Sequence, residues 1–342
     1  MSQINNSSNY FTTVFYFLRS TYFLAITGLI LLSPLLVSAH TRWFAEGEIA
    51  PHVTSEPTGL YLFVISLIGL FIIGAAVVVE RQGVLSLSFL HPTGPHVFAR
   101  AAATFTMVAG AFFMIAGTHE YLFSPNLTSE SGVPMVVIMS QFAIGLMFLL
   151  GVFARVGALL LGLLWVVGLY FSGTEAMIED IWVLSIVFFI LTIGNDYFRI
   201  ISMRAIKPFT YGLKKYALGV LRIGTGVTLL TLGFSEKILR PELGINFLAQ
   251  HDWNFMSGFG FSDYLFVLSA GSVEALLGIL LILGVMTRLT ALVIAIIFIT
   301  PLFILGPIEL TGHLPHFVAV FVILLFGAGE HFRILSSIKK DN

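Results

Sequence analysis

The sequence predicts an all-α integral membrane protein, and two observations predict it. Of its 342 residues, 57% are hydrophobic and only 10% charged, with a mean hydropathy of +0.97, outside the range of soluble domains. Apolar stretches of about 20 residues, each long enough to cross a hydrocarbon core of about 30 Å, recur along the whole chain. Lipid offers no hydrogen-bond partners, so each stretch must satisfy its own backbone, and unbroken apolar runs select helices over the alternating strands of a barrel.

Taken in order, apolar windows mark spans at 15–38, 60–79, 97–118, 134–153, 156–171, 181–194, 216–234, 264–284, 289–306 and 315–329. The first also reads as a secretory signal: Arg19, the apolar run Tyr22 to Leu32, Pro34 and the small residues before His40 fit cleavage of 1–39. A retained span and a cleaved signal both remain open. Residues 1–96 then form an amino-terminal membrane segment with one or two spans. A four-helix unit follows at 97–200, a basic linker at 201–215, a second four-helix unit at 216–334 and a tail at 335–342.

Charge divides unevenly between the loops. With a cytoplasmic amino terminus, all but Arg42, Lys237 and Arg240 of the 17 Lys and Arg fall on the cytoplasmic side. This predicts a multi-pass protein of the inner (plasma) membrane with its carboxyl terminus in the cytoplasm. The opposite side collects Glu, Asp and His. The chain has no cysteine, which excludes a dithiol relay, a thiolate metal site and covalent haem attachment. No phosphate loop or nucleophile motif stands out. Nothing points to nucleic acid.

The two units match each other at four ordered places. Gly117 to Pro125 corresponds to Gly233 to Pro241, and Gln141, Gly145, Gly151 and Arg155 correspond to Glu274, Gly278, Gly284 and Arg288. Glu175 falls on Glu309, and Gly194 to Ile200 on Gly327 to Ile334. Each unit holds an even number of spans, so the repeat is parallel, with a shared site expected at the interface. Gly145, Gly278, Gly151 and Gly284 suit close helix packing.

The second unit resembles the DoxX family. The resemblance rests on Leu221-Arg222-Ile223-Gly224, Gly233-Phe234-Ser235-Glu236-Lys237 leading to Pro241, Glu274-Ala275-Leu276-Leu277-Gly278, and Leu283-Gly284-Val285-Met286-Thr287-Arg288-Leu289. It covers about a hundred residues and is weaker in the first unit, where Tyr121 and Gln141 replace Lys237 and Glu274. It implies a four-helix bundle and, in some relatives, thiosulfate:quinone oxidation or membership of membrane redox complexes.

Glu274 sits near the middle of its span, where a carboxylate is costly unless paired, protonated or facing a polar cavity. With Arg222 and Lys237 as partners it is the candidate catalytic group, accepting protons or contacting quinone; a structural ion pair explains it equally. Glu236, Glu309, His313 and His316 are candidate cofactor-binding residues on the outer face. His313 and His316, with His40 and His52, are candidate ligands for copper or zinc; interfacial histidines bonded to water explain them too. The leading expectation is a quinone- or redox-partner-associated subunit, itself catalytic or not, embedded in the lipid bilayer beside an oxidoreductase partner. The rivals are a metal-binding or small-solute transport protein and a structural assembly factor.

Overall fold

The computed structural model describes residues 58–334 apart from 84, 202–209 and 307; the side chains of 304, 305 and 308–312 also lie outside the description. The expected signal or first span, His40 and His52, the side chain of Glu309, most of the basic linker and the tail therefore lie outside the described residues.

Ten helices of eleven residues or more run through the described residues: α1 (Thr58–Gln82), α2 (Val97–Thr118), α3 (Met135–Leu150), α4 (Ala154–Glu179), α5 (Trp182–Ile193), α6 (Ala217–Leu232), α7 (Pro241–His251), α8 (Asp263–Leu283), α9 (Thr287–Ile299) and α10 (Ile308–Phe326). Among these residues there is no strand, only two isolated bridges. Among the described residues five helical stretches are long and apolar enough to cross a membrane: Thr58–Gln82, Val97–Thr118, Ala154–Glu179, Lys214–Ile238 and Asp263–Leu283. The protein is thus an all-α, multi-pass membrane protein.

Two differences from the windows have local causes. Spans expected at 181–194 and 289–306 are short helices, because α5 stops at Gly194 (φ 74°) and α9 gives way at Thr300-Pro301 to a one-turn helix, Leu302–Leu305, closed by Gly306. Proline cannot donate to the ladder, and glycine takes the left-handed turn that ends it. Conversely, α4 runs on to Glu179, beyond the expected end at 171, across a break at Gly173.

Helix pairing follows one order in residues 97–200 and again in residues 217–334. In the first, α2 packs on α3, α3 on α4 and α4 on α5; in the second, α6 packs on α8, α8 on α9 and α9 on α10. The units also interlock, α5 packing on α6 and α10 on α2. The close crossings are made at glycines. A Cβ on Gly110 would lie 2.6 Å from the Gly145 carbonyl, and one on Gly278 would lie 2.5 Å from the Gly226 carbonyl. Only a bare backbone fits at either place.

The turns after α3 and α8 share an unusual shape. Gly151 (φ 63°) and Gly284 (φ 69°) end those helices, and two residues on Phe153 (φ 49°) and Met286 (φ 44°) hold left-handed conformations, which cost a side-chain-bearing residue about 1 kcal/mol. Each strained amide has an acceptor. Phe153 N–H donates to the Ile201 carbonyl at 2.9 Å, and Met286 N–H to the Glu80 carboxylate of α1 at 2.8 Å. The other oxygen of Glu80 accepts from Arg333 at 2.6 Å, which pins the end of α1 to the second unit. At its other end α1 meets α8 through Thr58–Tyr264 and Tyr61–Ser269 hydroxyl contacts. Leu60, Phe63, Leu67 and Phe71 remain exposed for lipid.

Candidate acid–histidine site

The site starts where α6 changes pitch. Gly233–Ile238 continues α6 as a π-helical segment, and Leu239 N–H reaches the Phe234 carbonyl at 2.8 Å, five residues back. Such widened turns recur at functional positions. Adjacent residues on a helix point about 100° apart, so Glu236 and Lys237 leave the segment on different sides. Lys237 Nζ lies 2.8 Å from Glu274 Oε2 on α8, each side chain 19% exposed. Glu236 is 1% exposed and lines a cavity with Ser124, Asn126, Glu179, Asp180, Trp182, Thr228, Leu232 and His316.

That cavity measures about 20 Å³, room for one water-sized molecule. The loop after α2, the turn between α4 and α5, α6 and α10 all contribute to it. Asp180 is held from two sides, Ser124 Oγ donating to Oδ2 at 2.8 Å and Trp182 Nε1 to Oδ1 at 3.0 Å. Burial pushes the Asp180 carboxyl up to about 7, against the pull of these two hydrogen bonds. The Trp182 ring also stands 5.0 Å from the His316 ring. His316 is 7% exposed, and neither of its ring nitrogens has a protein hydrogen-bond partner; the buried Thr228 hydroxyl has none either. His313 lies one turn away, its ring 6.2 Å from that of His316.

Of the residues singled out from sequence, Lys237 and Glu274 meet directly, while Glu236 and His316 meet at the cavity. Arg222 goes elsewhere. It is fully buried and gives its guanidinium to the carbonyls of Leu281, Ile282, Ala328 and Phe332. Leu281 and Ile282 lie two turns beyond Glu274 on α8, Ala328 and Phe332 follow α10, and the arrangement ties these helix ends together. Glu179 is expected from the repeat to lie opposite His313 and His316, whereas Asp180 and Thr228 are not among the expected site residues, and the signal for Asp180 is the Glu179-Asp180 doublet closing a long apolar run. The first unit lacks the ion pair. Gln141 accepts from Phe123 N–H at 2.8 Å and donates to the Tyr121 carbonyl at 3.0 Å, a neutral bond set between α3 and the loop after α2.

Among the described residues no group of three or more His, Asp or Glu is arranged to hold a metal ion. A smaller cavity of about 10 Å³ at the opposite end surrounds the Arg155–Asp196 ion pair.

No curated protein and no solved structure matches the chain significantly. The family model described as DoxX matches residues 217–307, which take in α6, the π-helical segment with Glu236 and Lys237, and Glu274 on α8. Residues 217–307 of this multi-pass membrane protein are therefore similar to the DoxX family.

Proposed function

We propose that the chain is a proton-handling subunit of a membrane redox system. It contacts a quinone or a partner oxidoreductase at the Lys237–Glu274 pair and exchanges protons through the acid–histidine cavity. One observation carries the reading: Glu236 and Lys237, neighbours on one π-helical turn, join a partly exposed ion pair to a buried cluster of titratable groups. Quinone reduction takes up protons along with electrons, so it needs a donor beside an apolar surface. The cavity is too small for a quinone ring, which leaves the ring to the Lys237–Glu274 side. The distribution of Lys and Arg supports an inner-membrane orientation with the site at the outer face. The matching turns at Phe153 and Met286 and the matching Gly110–Gly145 and Gly226–Gly278 crossings support two parallel repeats.

Purifying the full chain with its native lipids tests this. Co-purified quinone, or a quinone-dependent absorbance change lost in Glu274→Gln, is the expected result. A chain indifferent to quinone that brings down no oxidoreductase overturns the proposal.

A further inference from the structure

We infer that the cavity binds one water molecule that passes between neutral and protonated forms, with His316 as the base that trades the proton with it. The inference rests on the proton-handling reading of the same cavity and names its ligand and its acceptor.

Size sets the first limit, because about 20 Å³ exceeds the roughly 10–15 Å³ that a water needs and leaves nothing for a larger solute. Chemistry sets the second. Dry cavities are apolar, whereas a buried water requires about two to four polar partners. Here the His316 ring nitrogens and the Thr228 hydroxyl are buried without a protein partner, and Glu179, Asp180 and Glu236 line the same space. Burial favours the protonated form of Asp180, which makes it the carboxyl with a proton to give. Trp182 orients both halves, its N–H on Asp180 and its ring against His316.

The titratable groups around the water are Glu179 and Asp180 from the α4–α5 turn, Glu236 from the π-helical segment, and His316 with neighbouring His313 from α10. Lys237 and Glu274 stand behind Glu236. In the transfer, a carboxylic O–H gives its proton to the water oxygen, leaving a carboxylate and a hydronium, and the hydronium then gives a proton to a His316 ring nitrogen and returns to neutral water. A carboxylate and an imidazolium remain, net charge is unchanged and no electron moves.

The test is infrared difference spectroscopy of the full chain in lipid nanodiscs on a pH step, in ordinary and in oxygen-18 water. An oxygen-18-sensitive band of protonated water is expected in the wild type, lost in both His316→Phe, which keeps a ring against Trp182 and Phe298, and Thr228→Val. Absence of the band from the wild type, or its survival in both variants, overturns the inference. Where His316→Phe does not fold, the near-isosteric Thr228→Val carries the test alone, and survival of the band in it is the overturning result. A chain with the band but no response to quinone keeps the water site and removes the redox reading; a quinone response without the band does the reverse.

Discussion

Lys237 and Glu274 show how a membrane protein keeps two charges inside an apolar bundle, and the first unit shows the neutral alternative in Tyr121 and Gln141. Lys237→Met strands the Glu274 carboxylate. Because both side chains are 19% exposed, the loss is smaller than for a sealed pair, about 2 kcal/mol. The double variant Lys237→Met with Glu274→Gln removes both charges together and recovers at least half of it, read from unfolding midpoints in detergent. Asp180 makes a second prediction. Burial raises its carboxyl from the ordinary 3.8 to about 7, so its protonated form is the one the fold prefers. Its contribution is complete below the ordinary carboxylate range, falls as the unfolded chain ionises, and is gone once pH has passed about 7. The midpoint of the wild type should therefore drop across that window, and Asp180→Asn should flatten the drop.

Helices here are held at points rather than along their lengths. Gly278→Val forces a side chain against the Gly226 carbonyl and should cost about 3 kcal/mol. Gly74→Ala on α1, where a Cβ meets nothing within 4 Å, should be neutral or stabilising by about 0.5 kcal/mol; equal effects in a thermal unfolding series would contradict the crossing geometry. Glu80→Leu removes both the acceptor of Met286 and the partner of Arg333, and α1 should gain hydrogen exchange along its last turns. These elements were unequally legible in the sequence. Long apolar runs located α2 and α8 to within a residue or two, since lipid and core demand the same composition. The helix Pro241–His251 was missed because its polar positions read as loop. The π-helical turn has the composition of an ordinary helix end. The cavity was hidden for another reason: Ser124, Asp180, Glu236 and His316 come from four separate parts of the chain, and only packing says that they meet.

For the whole molecule, the crossed contacts of α5 with α6 and α10 with α2 mean that neither unit buries its faces alone. A protease site inserted between residues 201 and 210 should yield two fragments that elute together in mild detergent; fragments that separate would show that the interlock is weak. The Glu175–Arg240 ion pair adds a link between the last turns of α4 and the start of α7.

The double grip on Glu80 has a consequence for biogenesis. Its carboxylate is made 206 residues before the Met286 amide it caps and 253 before Arg333. The helix that bears it must wait in the bilayer until residue 333 has left the ribosome. A chain stalled short of Arg333 leaves that helix half anchored, and such copies offer quality-control proteases a loose end to seize.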